Sequence, residues 1–384
     1  MALQAPAEVV LIGGGHAHVQ VLQRWITDPP PRARLTVVLD RARAVYSGMV
    51  PGFVAGDYAL HTIEIDAARL ARRAGAHVVL EPATAIDPVA RRIALAGGAA
   101  VPYDVASLDV GATVRDLDRP GVREYALATR PIRDWVDGLD ARVAAMPRGR
   151  GARVVVVGAG AAGIELGFTL RARLVIHGVT PHVTVIGGDT EILPGHGARV
   201  ARRVRHEAAR RNITLRTKAR VVAVERDAVI LEHDRVAADL VVWATGAAPL
   251  PWLSALPLPR DARGFVRVRP TLQVVCHDDL FAAGDCASID GAPWVRKAGV
   301  YAVREGRVVD DNLRAWLGGV PAVPYHPQRH VLALLHLGDR RALASKWGFV
   351  ASGRWVWRQK RVLDERFVCR HQGRRRACVP VHPG

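Results

Sequence analysis

Two stretches of the chain repeat one local order: a short apolar run, a cluster of glycines, a helix-compatible segment and a second apolar run. The first passes from residues 9–12 through Gly13-Gly14-Gly15 to Trp25, after which the apolar run 35–39 ends at Asp40. The second passes from residues 153–157 through Gly158, Gly160 and Gly163 to about Ile176, followed by the run 182–186. An apolar run too short for a helix that feeds a glycine turn and then a helix is the strand–turn–helix–strand unit of a doubly wound parallel sheet. Two such units in one chain imply two nucleotide sites. The expected fold is α/β, with two Rossmann-like dinucleotide-binding domains.

Between the units, residues 104–110 read as a buried strand ending at Gly111-Ala112, and Pro120-Gly121 marks a crossover. After the second unit, the alternating runs 213–216, 220–225, 228–232 and 240–243 read as a β-meander closing that domain. The chain then reaches Ala244-Thr245-Gly246, and a strand at 280–282 ends at Ala283-Gly284-Asp285. The second unit is therefore expected as an insertion in the first. Residues 1–124 and 241–318 would form the first domain, 125–240 the second and 319–384 an accessory segment. In that segment Pro321, Pro324 and Pro327 mark a linker, ahead of the apolar residues 331–335 and an aromatic, Arg-rich tail.

Gly13 and Gly15 let the backbone turn tightly and approach a pyrophosphate, which then sits on the positive end of the following helix. Asp40, at the end of the next strand, can accept hydrogen bonds from ribose hydroxyls. His18 stands where the third glycine of the fingerprint usually falls, so it either holds the helix off its strand or points toward the ligand. Gly158, Gly160 and Gly163 keep all three glycines. Their second strand ends at Gly187-Gly188, which supplies neither an acid for an NAD ribose nor an arginine for a 2′-phosphate, and the choice between NADH and NADPH stays open. Asp285 follows a buried strand and can accept hydrogen bonds from the ribityl hydroxyls of a flavin. After it, Lys297-Ala298-Gly299-Val300-Tyr301-Ala302 opens a helix whose N-terminal dipole would stabilise negative charge on a reduced flavin ring.

Composition removes other classes. A chain of 384 residues, 49% hydrophobic, can bury more than one core. No window approaches the roughly 20 apolar residues needed to span a bilayer. No basic region followed by an apolar one precedes Gly13, so the chain is expected in the cytoplasm. The four cysteines, Cys276, Cys286, Cys369 and Cys378, form no Cys-x-x-Cys spacing, so neither a metal site nor a disulfide framework is expected, and Cys286 reads as a small buried side chain. The net charge is +18, yet only four of the 54 basic residues are lysine. That arginine bias, alongside abundant Ala, Gly and Val, reflects a GC-rich coding sequence, and no nucleic-acid partner is expected.

The two fingerprints, with Val110-Gly111-Ala112, Ala244-Thr245-Gly246 and Phe281-Ala282-Ala283-Gly284-Asp285, resemble the two-dinucleotide flavoproteins, which include glutathione reductase, type II NADH dehydrogenases and sulfide:quinone oxidoreductases. A closer resemblance is to the NADH-dehydrogenase-like flavoproteins fused ahead of selenide, water dikinase. It rests on residues 11–19 (with His16), on Tyr46-Ser47-Gly48-Met49-Val50-Pro51-Gly52, on Lys297-Ala298-Gly299-Val300, on residues 324–328 and on residues 353–357. No kinase segment follows, so the chain is expected to be a stand-alone form.

The resemblance implies FAD on the first unit and NAD(P)H on the second, with hydride passing to the flavin. Its cofactor-contacting positions fall here on Gly13, Gly15, His16, His18, Asp40, Gly111, Gly158, Gly160, Gly163, Gly246, Gly284, Asp285 and Ala298. Tyr46, Ser47 and Pro51 would cover one flavin face. Lys297 would serve catalysis from the flavin-side helix. Glu165 falls where related reductases put an acid near the nicotinamide, although a glutamate there is also favoured by the helix dipole. Disulfide reductases carry a cysteine pair after the first acidic strand, and residues 41–70 hold none, so electrons are expected to leave without a cysteine relay. Val300 replaces the glutamine of type II NADH dehydrogenases, which weakens a quinone as acceptor and leaves it open beside a selenium or sulfur species. The tail interleaves Trp347, Phe349, Trp355, Trp357 and Phe367 with Arg354, Arg358, Lys360, Arg361 and Arg366. It suits a peripheral membrane surface, a dimer interface or a lid on the flavin domain. The expected activity is an FAD-dependent NAD(P)H oxidoreductase acting as a monomer or homodimer. A flavin-holding regulatory protein with a basic surface and a biosynthetic flavin oxidase are the alternatives.

Overall fold

The computed structural model describes residues 5–372. The first unit forms as expected: β1 (Ala7–Ile12), α1 (His16–Trp25) and β2 (Ala33–Leu39), followed later by β3 (His77–Leu80) and β4 (Val105–Leu108). The chain then builds β5 (Ala126–Ala128), β6 (Gly151–Val157), α2 (Ala161–Ile176), β7 (Thr180–Ile186), β8 (Ile213–Arg216) and β9 (Leu240–Trp243). It returns through β10 (Leu280–Ala282) and α3 (Gly299–Leu317), and ends in β11 (Ala333–His336), β12 (Ala342–Lys346), β13 (Phe349–Gly353) and α4 (Arg354–Gln372).

Two five-stranded parallel sheets result, ordered β10-β4-β1-β2-β3 and β5-β9-β6-β7-β8. The inner strands are buried on both faces, which is why they read as unbroken Val/Leu/Ile runs rather than as alternation: β4 and β9 are buried at every position. Because β10 lies at the edge of the first sheet beside β4, the second unit is inserted in the first. Leu240–Trp243 pairs with β5 and β6, so the return to the first domain falls after Trp243 rather than at 241. The expected meander is likewise corrected. Only Val221–Glu225, Ala228–Leu231 and Arg235–Ala237 form an antiparallel sheet, while 213–216 and 240–243 join the parallel one. A matching antiparallel sheet in the first domain, Ala83–Asp87, Arg92–Leu95 and Ala100–Pro102, was not legible in the sequence.

Helix α1 buries Ala17, Val19, Val21, Leu22 and Trp25 between the sheet and α3. The Trp25 Nε1–H donates to the fully buried Asp310 at 2.5 Å, and Arg24 and Arg314 neutralise that acid. Leu- or Trp-sized burial of this kind is worth about 1.5–3 kcal/mol per side chain. The accessory segment is more ordered than its sequence suggests: β11–β13 form an antiparallel sheet and the aromatic tail is a 19-residue helix. The remainder of the tail, from residue 373, with Cys378, lies outside the described residues.

Candidate active site

Both glycine turns sit at the C-terminal ends of the first sheet strands, where open α/β sheets bind ligands. Gly13 has φ +95° and Gly158 has φ +122°, values that a side chain resists, and each lies against the carbonyl at the end of a neighbouring strand. In the second unit a Cβ on Gly163 would lie 1.7 Å from the Gly158 oxygen, so only glycine lets α2 close on β6. Gly160 caps α2 with open space around it, leaving the first N–H groups of that helix facing outward. Gly246 follows β9 and its carbonyl accepts from the Arg115 N–H at 2.8 Å, on the second chain crossing between the domains.

The first cradle is built differently. His18, taken from the sequence as a cofactor contact, is a correction: its ring is fully buried beneath the turn. Nδ1 lies 2.7 Å from the Gly13 carbonyl and Nε2 lies 2.9 Å from the Ser107 hydroxyl. With Nδ1–H donating and Nε2 accepting, burial holds the ring neutral and lowers its pKa to about 4. At the end of β4 stands a residue that the sequence reading passed over, Asp109. Its Oδ2 accepts from the N–H groups of Ala17 at 2.7 Å and His18 at 3.1 Å, inside the first turn of α1. A charged residue closing an otherwise apolar strand was the available signal. Asp40 lies exposed at the end of β2 and pairs with Arg41, whose guanidinium also reaches Asp134 at 3.2 Å. Gly111, with φ +75°, begins the first crossing.

After β10, Gly284 donates its N–H to Glu305 at 2.6 Å, and Asp285 pairs with Arg130 from the second domain. Arg130 and Asp134 line a cleft of about 690 Å³ with Thr113, Arg115, Leu250 and Pro251, where the two crossings run side by side. That volume falls in the range of cofactor sites. Ala298 is the extended residue that caps α3. Lys297 lines the pocket at the start of α3, but its ammonium donates to the Ala287 carbonyl and lies 4.1 Å from the centre of the Phe265 ring. Burial lowers its pKa, and its head is committed to that carbonyl and ring.

One face of the site is covered by rings. Tyr46 stacks on Phe367 of α4 at 4.4 Å, His16 lies tilted against Tyr46 at 5.3 Å, and Ser47 Oγ is 3.3 Å from His16 Nε2. Burial lowers the His16 pKa to about 4 and raises that of Tyr46, beside Asp364. Pro51 is buried in the first turn of the short helix Val50–Val54. Lys360 of α4 donates to the Gly48 carbonyl and to Asp364, both at 2.7 Å, tying the helix to that loop. Glu165 of α2 accepts from the His336 N–H at 2.7 Å, and burial pushes its carboxyl upward against the pull of Lys360 and His336. The His336 ring in turn donates through Nε2 to Asp57 at 2.9 Å, while Nδ1 accepts from the Gly338 N–H. His336, Phe367 and Lys360 were not singled out as parts of the site from the sequence, because their partners there lie about 170 to 320 positions away.

With two nucleotide cradles in one chain and the connecting cleft between them, a family assignment follows from comparison. A sequence profile described as pyridine nucleotide-disulphide oxidoreductase matches residues 7–306. The chain belongs to this family. Members are FAD-binding, NAD(P)H-dependent oxidoreductases, and the residues present fit both cofactors: two glycine-capped helix N-termini, an acid after β2 and another after β10. The chain is similar to the NADH dehydrogenase-like protein YutJ of Bacillus subtilis, 24% identical over 76% of this chain and 79% of that one. It is 33% identical to the NADH dehydrogenase-like protein MT1860 of Mycobacterium tuberculosis over 56% of this chain, and the match spans about half of that relative, 55%. The sulfide:quinone oxidoreductase of Aquifex aeolicus shares the fold, with a TM-score of 0.78 at 18% identity over 96% of this chain and 92% of that one.

The cysteines complete the inventory. Cys286 is buried beside the first cradle, bonded to the Ala283 carbonyl at 3.1 Å, and burial pushes its thiol up to about 12. It is not a thiolate at neutral pH. Cys276 is exposed and free. Cys369, on α4, is disulfide-bonded.

Proposed function

We propose that this chain passes reducing equivalents from NAD(P)H through FAD directly to a quinone or another small oxidised acceptor, with no cysteine pair between nicotinamide and flavin. FAD supplies the hydride-accepting and electron-donating ring when bound. The observation that carries this reading is the state of the sulfur near the first cradle: Cys286 is buried and protonated, and the segment that bears the dithiol in disulfide reductases has none. Glu165 and Lys297 position the two ring systems, each held by a backbone group. His16, Tyr46 and Phe367 exclude water from the covered face. The names of the relatives support an NADH-linked reaction, and that of the Aquifex structure supports a quinone acceptor. The resemblance of residues 46–52 and 353–357 to the flavoproteins that precede selenide, water dikinase keeps a selenium or sulfur species as the second acceptor class.

The site of acceptor entry is favoured by one surface. Trp347 (67% exposed), Phe349 (78%) and Trp355 (58%) project from the β12–β13 hairpin and the start of α4, and Lys346 lies over the Trp347 ring at 3.9 Å. Rings flanked by Lys346, Arg354 and Arg358 fit the headgroup layer of an anionic bilayer, where a quinone dissolves. No helix among the described residues is long and apolar enough to cross a membrane. Anaerobic stopped-flow reduction by NADH and by NADPH, followed by mixing with quinone and polysulfide acceptors, tests the reaction. Flavin bleaching followed by reoxidation with one acceptor class supports it. Retention of the C369S variant's reoxidation rate supports direct transfer, and its loss contradicts it.

A further inference from the structure

Asp109 occupies a place that its charge makes awkward. Strand β4 is buried throughout, and Asp109, itself 3% exposed, follows its last residue. Its carboxylate fills the space among the glycines of the first cradle: a Cβ on Gly15 would lie 2.2 Å from Oδ1, and one on Gly284 would lie 2.5 Å from the same atom. Oδ2 already takes two N–H groups of α1. A helix N-terminus of this kind ordinarily offers its N–H groups and its dipole to phosphate. Here an acid shares them, and a pyrophosphate dianion seated on the turn would meet a second negative charge in a site shielded from water.

Among the described residues, no cation is placed to absorb that conflict. On α1, burial lowers both His16 and His18 to about 4, so both are neutral. After β5, Arg130 is spent on Asp285, and on the segment after β10 Cys286 is a thiol. On α3, Glu305 accepts from Gly284, and at the start of that helix Lys297 is turned to the Ala287 carbonyl. We propose that Asp109 carries a proton whenever the flavin pyrophosphate is seated, so that FAD binding takes up one proton from solvent and is tighter in mildly acidic than in alkaline solution. Burial already pushes Asp109 up to about 7 against the pull of the Ala17 and His18 N–H groups, and Glu305 also stands at about 7. A nearby phosphate anion raises an acid further. This inference rests on the first cradle holding FAD, as proposed above.

The test is FAD release from the holoprotein on dilution, followed by the fluorescence of the freed flavin across a pH series from about 6 to about 9. Uptake of one proton makes the FAD Kd rise about tenfold per pH unit above neutrality. In Asp109→Asn, which keeps an oxygen to accept from α1 and has no proton to lose, the Kd is flat over that range. Glu305→Gln keeps the slope. A flat wild-type profile, or a slope that survives Asp109→Asn, overturns the proposal while leaving the flavin reading intact. Protein that holds no FAD at any pH overturns both. Should the Asp109→Asn chain fail to fold, the infrared carbonyl stretch of a protonated carboxylic acid gained on FAD binding near pH 8 in the Glu305→Gln protein decides: its gain supports the proposal and its absence contradicts it.

Discussion

The two cradles perform one task with opposite materials. In the second, Gly163 removes a side chain so that α2 can rest on the Gly158 carbonyl, and the start of the helix stands open. In the first, a histidine fills the equivalent position, its ring bonded to Gly13 and Ser107, and an aspartate caps the helix from the neighbouring strand. The glycine fingerprint is thus a solution to a packing problem rather than a requirement of nucleotide binding. A larger residue is admitted where it brings hydrogen-bond partners that replace the lost backbone contact. The cost is that every polar atom introduced must be satisfied, because the site is buried.

The strongest way to break this comparison is to put a side chain into the second cradle. Gly163→Val has no room beside the Gly158 carbonyl and should destabilise the chain by about 3 kcal/mol or more. A lowered Tm and lost reduction by NAD(P)H, with FAD retained, would show that the damage stays in the second domain. The reverse change is next. His18→Ala leaves Gly13 and Ser107 without their partner and opens a cavity, at a cost of about 2–4 kcal/mol. If the first cradle were an ordinary fingerprint, the smaller residue would be neutral or stabilising, and chemical denaturation tells the two apart.

The same histidine gives the comparison a pH signature. Its folded pKa, about 4, lies below the ordinary histidine value of 6.5, so the unfolded chain binds the proton more readily. Stability is therefore full above about pH 6.5 and falls as the pH drops toward 4, by up to about 1.4 kcal/mol per unit from this residue. The stability curve of His18→Ala should be shallower over that window. The smallest effect concerns the piece that joins the two cradles. His336 bonds Glu165 of the second domain through its backbone and Asp57 of the first through its ring, and the Trp357 Nε1–H donates to Asp57 at 2.9 Å. Trp357→Phe removes that donor and should cost about 1 kcal/mol, read as a small fall in Tm with both cofactors still bound.

How much of this was legible depends on range. The glycine turns, the strands that feed them, Asp40 and Asp285 are local patterns, and each sits where the spacing placed it. Asp109 was hidden because it ends a run that reads as a buried strand, and only the fold brings α1 against it. His18 was misjudged because its partner Ser107 lies 89 residues away. The helix of the tail was missed because its buried face mixes Val356 and Trp357 with Lys360 and Asp364, a buried ion pair that erases the apolar stripe. Each failure marks a place where a polar contact between distant segments, rather than hydrophobic periodicity, fixes the structure.

The central claim is that nicotinamide and flavin meet in this chain without sulfur between them, and counting electrons tests it most directly. In an anaerobic titration of the holoprotein with NADH or NADPH, the flavin absorbance should bleach to its endpoint at one equivalent per FAD, in the wild type and in C369S alike. Bleaching that requires two equivalents in the wild type and one in C369S would show a redox disulfide in the path. No bleaching with either nucleotide would contradict the account at its root.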